Sequence, residues 1–313
     1  MPEVDRATGL GRRLLLASRP VSWINTAFPF AAAMLLTTGE VDARLVIGTL
    51  FFLVPYNLAM YGINDVFDYE SDANNPRKGG VEGALLPPST HRVTLAWSVG
   101  LAAPFVLVLA ALGGPASWAV LAVSLFAVVA YSAKGLRFKE VPVLDSVTSS
   151  THFVSPAVYG LVLAGADWSP QLVAVLAAFF CWGMASHAFG AVQDVVPDRE
   201  AGIGSIATAL GAPTTVRLAI ALWAAAGALM LLTPWPAWVA AAVALPYILL
   251  AAPFWSVTDA GSAAANGGWR RKSGASSARC SLPAAPGGQG SAPGCRRPGR
   301  RTWRRWLPTR SGW

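Results

Sequence analysis

The sequence predicts an all-α fold, a polytopic bundle of transmembrane helices, and three observations carry that reading. Hydrophobic side chains make up 54% of the 313 residues and charged ones only 13%, a balance that excludes an ordinary water-soluble domain. The apolar residues gather in eight runs of about 20, the length that crosses a ~30 Å hydrocarbon core. The basic residues fall almost wholly between alternate runs, as membrane topology requires.

Taken in order, residues 1–20 form a cytoplasmic N-terminal segment carrying Arg6, Arg12, Arg13 and Arg19. They lack the apolar core and cleavage site of a signal peptide, so the first apolar run stays in the chain as a helix. The eight runs are 21–38, 45–63, 93–112, 117–133, 143–164, 171–190, 215–232 and 236–256, and 21–256 is the bundle. Arg77, Lys78 and Arg92 follow the second run, Lys134, Arg137 and Lys139 the fourth, and Arg199 and Arg217 the sixth; the opposite loops offer Arg44. The positive-inside rule then puts the N-terminus and every even-numbered exit in the cytoplasm, for a multi-pass protein of the cytoplasmic (inner) membrane.

The bundle ends in a last cytoplasmic loop, 257–272, and a disordered basic tail, 273–313. Residues 270–313 hold 11 of the 24 Lys and Arg and no acid, which leaves the membrane part with 13 basic against 16 acidic residues. The formal charge of +8 therefore misleads. A tail of Gly, Pro, Ser, Ala and Arg cannot bury enough apolar surface to fold alone. It suits lipid headgroups, nucleic acid or, best, out-of-frame translation of a GC-rich gene, and no nucleic-acid partner is expected. Three cysteines, Cys181 within a run and Cys280 and Cys295 in the tail, give neither a disulfide framework nor a zinc site.

Chemistry concentrates where the second run ends, in Asn64-Asp65-Val66-Phe67-Asp68-Tyr69-Glu70-Ser71-Asp72. On a continuous helix Asp65, Asp68 and Asp72 would share one face, with Asn64 above Asp68. Crowded carboxylates repel unless a cation sits among them, and hard oxygen ligands point to Mg²⁺. A second group, Gln193-Asp194-Val195-Val196-Pro197-Asp198, follows the sixth run. Four helices separate the two groups, so both emerge on one face, as in an internal repeat of two four-helix halves. Asp194 and Asp198 share a helix face if Pro197 bends the helix rather than ending it.

A few acids after a membrane helix are usually solvated loop residues, but two matching clusters argue for paired Mg²⁺ sites that hold a diphosphate. The cations beside them fit that ligand. Arg77 and Lys78 precede Gly79 and Gly80, whose backbone N–H groups can approach phosphate oxygens. The loop 131–139 adds Tyr131, Arg137 and Lys139, although topology alone calls for basic residues there and Tyr131 equally suits an interfacial anchor. Within the fifth run, Asp145 reads as a cap or hydrogen-bonding group and His152 as a satisfied polar contact, rather than as catalytic groups. A cation transporter would carry its acids near the bilayer midplane, not at helix ends beside Arg and Lys. A noncatalytic scaffold subunit is the other rival.

At these residues the chain resembles the UbiA-type intramembrane prenyltransferases, from about residue 12 to about 269. Asn64, Asp65, Asp68 and Asp72 match that family's NDxxDxxxD signature, Asp194 and Asp198 its second Asp-rich signature, and Tyr131, Ser132, Arg137 and Lys139 its YSxxxxRxK loop. The runs NDVFDYESDANNPRKGGVEGAL and QDVVPDREAGIGSIATALGA are most similar to the actinobacterial lycopene elongase branch. The resemblance implies Mg²⁺ held by Asn64, Asp65, Asp68, Asp72, Asp194 and Asp198, with Asp68 and Asp198 as the catalytic carboxylates. It implies dimethylallyl diphosphate as donor, its diphosphate met by Arg77, Lys78, Tyr131, Arg137 and Lys139, and lycopene or a related carotenoid, drawn from membrane lipid, as acceptor. A quinone precursor or another lipid acceptor is the alternative within the family. The family's usual nine helices leave one unaccounted for, and the sequence names no group to take the proton from the adduct.

Overall fold

The computed structural model describes residues 9–70 and 85–262, and among them every regular element is helical. A short helix α1 (Leu10–Ala17) and a 3-10 turn (Pro20–Ser22) lead into α2 (Ile24–Thr38). Gly39 closes α2 at φ 69°, a left-handed conformation that costs glycine little. Asp42 then caps α3 (Ala43–Leu53), its Oδ1 accepting the Leu45 N–H at 2.9 Å.

The second expected run is two helices, because Pro55 has no N–H to give to the turn before it. The break separates α3 from α4 (Pro55–Phe67). Asn57, fully buried, repairs the loss by donating to the carbonyls of Phe52 (2.8 Å) and Leu53 (3.1 Å) and to Thr26 Oγ1 (2.7 Å). Carbonyls left open by a break would otherwise be stranded away from water.

The chain continues through α5 (His91–Leu112), α6 (Pro115–Ser132), α7 (Leu144–Ala164) and α8 (Pro170–Ala191). Two short helices, α9 (Val195–Glu200) and α10 (Ile206–Leu210), precede α11 (Ala212–Met230) and α12 (Ala244–Ala251), the last preceded by a 3-10 stretch, Ala237–Val243. Among the described residues six helical segments are long and apolar enough to cross a membrane, or seven if the bent pair Leu10–Ser22 and Ile24–Thr38 is one span. Length and composition thus account for six or seven of the eight expected spans. The difference lies in α7, whose 21 residues suffice for a crossing but include the buried polar residues Asp145, Ser146, Thr148, Ser150, His152 and Ser155. It packs against α2, α6 and α8, so its polar groups face protein instead of lipid.

Two of the apolar clusters among the described residues are built around aromatic rings. Phe30, Phe51, Phe52, Tyr56 and Tyr159, all fully or almost fully buried, interlock where α2, α3, α4 and α7 meet, with ring centroids 4.9–6.0 Å apart. Around α8, α11 and α12, Trp223 packs with Ala185, Ala219 and Ala251, and Phe189, Trp182 and Tyr247 close over it. Glycines set the spacing of α7 from its neighbours. A Cβ on Gly160 would lie 2.8 Å from the Phe30 carbonyl oxygen, and one on Gly183 would overlap Ser150 Oγ.

Candidate active site

The α-helix of α4 does not run on through Asp68: it stops at Phe67, with Asp68 as its cap, and helix resumes at Tyr69. At the cap the Asp68 N–H still bonds the Asn64 carbonyl at 2.9 Å. The acids part company. Asp65, buried, pairs with Arg19 at 3.0 Å, and that guanidinium also lies 4.2 Å above the Tyr61 ring. Asp68 pairs with Lys139.

Lys139 reaches Asp68 because the loop after α6 turns sharply. Arg137 adopts a left-handed φ of 43°, and a 3-10 turn, Phe138–Glu140, follows. Arg137 pairs with Glu140 and stands 3.9 Å from Asp68. Glu140 first, and Asp68 after it, hold the Arg137 guanidinium above its ordinary pKa against the opposing pull of burial. At the end of α6, Ser132 donates to Asn64 Oδ1 at 2.9 Å, fixing the amide beside the carboxylate.

The second acidic group is built by a restart of the helix. α8 ends at Ala191, a 3-10 turn carries Val192–Asp194, and α9 begins at Val195. Pro197 falls in the first turn of α9, where a missing N–H costs nothing. Beyond it, Arg199 donates to the Thr208 carbonyl at 2.8 Å and pairs with Asp259, which also accepts the Ala212 N–H at 2.6 Å. That N–H, and then Arg199, hold the Asp259 carboxyl below the usual range. These contacts clamp α9, and with it Asp198, against the start of α11.

Both groups line one polar cavity of about 650 Å³. Asn64, Asp68, Tyr131, Lys139, Asp194 and Asp198 are all on its wall, together with Arg19, Glu140, Asp145, Ser149, His152, His187 and Gln193. Asp65 and Arg137 stand just behind it through Arg19 and Asp68. Asp72, Arg77 and Lys78 lie outside the described residues, as does the tail.

Asp145 is a hydrogen-bonding anchor, as its position suggested: fully buried, it accepts the N–H groups of Ser146 and Ile206, both at 2.7 Å. His152 departs from expectation. Both of its ring nitrogens are buried with no hydrogen-bond partner, and its ring meets Tyr131 edge-on at 5.4 Å. Sequence reasoning took Arg19 only as a topology charge and passed over His187, although a histidine about two turns before Asp194 was a usable signal.

Among the described residues no three His, Cys, Asp or Glu side chains come close enough to hold a metal ion by themselves. That is compatible with Mg²⁺, which binds through one or two carboxylates and takes its other ligands from water and substrate phosphates. The donor set on the cavity wall is all hard oxygen apart from the two histidines. The cations Arg19 and Lys139 beside it suit a polyanion.

A second cavity, about 1000 Å³ and mainly apolar, runs between α2, α7 and α8 from Ala166 and Leu172 to His187. Along α8 the stretch from Leu172 to His187 rises about 22 Å. Four residues, Ser149, Phe153, Ser186 and His187, line both cavities, so the polar and apolar spaces meet at them.

Comparison with known proteins agrees with this architecture. The UbiA prenyltransferase family matches residues 26–268. The chain is 56% identical over 271 residues to the C(50) beta-cyclic carotenoids biosynthesis protein LbtBC of Dietzia sp., covering 86% of this chain and 63% of that protein. It is 52% identical over 260 residues to the lycopene elongase/hydratase of Corynebacterium glutamicum, covering 83% and 90%. A UbiA homologue from Archaeoglobus fulgidus, solved bound to DMAPP and Mg²⁺, superposes with a TM-score of 0.63 at 21% identity over 76% of this chain and 85% of that one. The helical fold is shared, the match spans most of the bundle, and the chain belongs to the UbiA prenyltransferase family, as an integral membrane enzyme of prenyl transfer.

Proposed function

We propose that the protein transfers a dimethylallyl group from its diphosphate to lycopene, in C50 carotenoid formation. The junction of a polar, acid-lined cavity with a long apolar one carries this reading. The relatives at 52–56% identity, named for lycopene elongation and C50 carotenoids, support the choice of acceptor.

Asn64, Asp68, Asp194 and Asp198 on the cavity wall, with Asp72, would hold Mg²⁺, and Asp65 would orient Arg19. The bound ions would neutralise the diphosphate as its bond to carbon breaks. Lys139 and Arg19 would face the departing pyrophosphate from the same wall, helped by Arg77, Lys78 and, from behind Asp68, Arg137. Tyr131 would pack along the diphosphate. Asp68 and Asp198 matter most in this scheme, since each anchors one of the two helix ends to the charge that develops.

The apolar cavity takes the acceptor. Its walls, including Phe28, Ala33, Ala157, Leu161, Leu176 and Phe179, offer a rod-like hydrocarbon contact without hydrogen-bonding demands, and they exclude the water that would quench an allylic cation. Lycopene would enter from lipid and the diphosphate from the cytoplasm, the N-terminus and both acidic groups lying on the cytoplasmic side of the inner membrane, in a bundle of eight crossings with α7 as the fifth. Blocking the groove tests the assignment. Ala157→Phe should abolish carotenoid product while leaving dimethylallyl diphosphate binding, measured by calorimetry with Mg²⁺, within about twofold. Unchanged carotenoid turnover would refute it.

A further inference from the structure

Prenyl transfer to an alkene leaves a proton to be removed, and the groups that hold the diphosphate do not account for it. We propose that His187, backed by Asp145, is the proton acceptor of the reaction. This rests on the reading of the acceptor as an alkene in the apolar cavity.

The bond must form where the two cavities meet, because the allylic carbon comes from the polar side and the alkene from the apolar side. Among the described residues only Ser149, Phe153, Ser186 and His187 line both. Phe153 has no basic atom, the two serine hydroxyls are far too weakly basic at neutral pH, and Ser186 already donates to the Trp182 carbonyl at 2.8 Å. Imidazole is the one group of the four suited to take a proton near neutrality. Its side chain keeps 21% exposure, a route by which the proton can leave to water.

Behind the ring, Asp145 is built to support a positive charge. It is fully buried, and its two oxygens are pinned by the Ser146 and Ile206 N–H groups. Its Oδ2 stands 3.7 Å from His187 Nε2, longer than a hydrogen bond but close enough to stabilise imidazolium once formed. His152, on the same wall with two unpartnered nitrogens, can hold a water there.

The step balances as follows. The C–O bond of the diphosphate breaks and its electron pair leaves with pyrophosphate. The alkene π pair forms the new C–C bond and leaves a tertiary cation on the neighbouring carbon. Either a C–H proton passes to His187 and its pair becomes a new C=C, or water adds through oxygen and gives its proton to His187, yielding an alcohol. His187 is then the catalytic residue for the quench and Asp145 its positioning residue.

The experiment uses the full chain in nanodiscs with Mg²⁺, lycopene and labelled dimethylallyl diphosphate, and reads pyrophosphate release, total coupled product, and the ratio of alcohol to alkene product. His187→Gln should lower coupled product at least tenfold and change that ratio, while pyrophosphate release persists. His187→Ala should regain product on adding imidazole, and Asp145→Asn should shift the pH profile of product formation. His152→Gln should lower the alcohol-to-alkene ratio. A His187→Gln enzyme with the parent rate and ratio, or a His187→Ala enzyme that imidazole does not rescue, would overturn the proposal. If the unsubstituted enzyme gives no carotenoid product, the acceptor reading itself fails and the proposal falls with it.

Discussion

The contact between Asp68 and Lys139 can be separated into structure and chemistry by removing each partner and then both. The two side chains are 6% and 14% exposed, so Asp68→Leu strands a nearly buried ammonium. Breaking such a pair costs ~3–5 kcal/mol. The low end applies here, because Lys139 retains some water and Arg137, 3.9 Å away and one-third exposed, is already paired with Glu140. We expect about 3 kcal/mol lost for Asp68→Leu. The double variant Asp68→Leu with Lys139→Met removes both charges and should recover stability to within about 1 kcal/mol of the parent, since an apolar replacement of a buried pair at similar volume is often neutral. Turnover should behave differently. If both groups face the reacting diphosphate, each is worth ~10²–10³ in rate, and the double variant stays inactive although it is stable. Thermal unfolding in detergent gives the stability cycle, and pyrophosphate release at saturating donor gives the rate cycle. Recovery of turnover in the double variant would show that the pair only holds the loop in place, and would refute its catalytic assignment.

Two further substitutions probe the frame around the site. Gly160→Ala would set a methyl 2.8 Å from the Phe30 carbonyl and 3.1 Å from the Ala33 Cβ, so α2 must move off α7 at a cost of about 1–3 kcal/mol; an unchanged unfolding temperature would contradict that packing. Asp259→Asn should loosen α9 and the start of α11 by about 1 kcal/mol, as loss of a helix cap does. Because the folded Asp259 carboxyl lies below its unfolded value of 3.8, its contribution is fully present above that value and is lost as pH falls through the folded one. The stability gap between parent and variant should therefore be constant from pH 5 to 7 and close in stronger acid. A gap that widened on acidification would have the wrong sign.

How much of this was legible in the chain depended on whether the signal was local. The two acidic groups and the loop at Tyr131 to Lys139 were visible as residue types at helix ends, and alternation of basic loops was enough to expect them on one face. Their meeting on one cavity wall is what the fold adds. The break at Pro55 divides a run that hydropathy reads as continuous, and no spacing argument reveals that Asp65 turns to Arg19, 46 residues earlier. The polar helix α7 was read correctly as a helix, yet its buried serines and His152 look unsuitable for a span until α2, α6 and α8 are packed around it. His187 was missed for the same reason. Its meaning comes from Asp145, on a different helix, and from a junction between two cavities that no single segment encodes.

The most direct measurement of the central claim is product identity. Membranes containing the protein, incubated with Mg²⁺, lycopene and labelled dimethylallyl diphosphate, should place the label in C45 and C50 carotenoids, and Asp68→Ala or Asp198→Ala should remove it. Label found in a quinone precursor, with none in a carotenoid, would contradict the account.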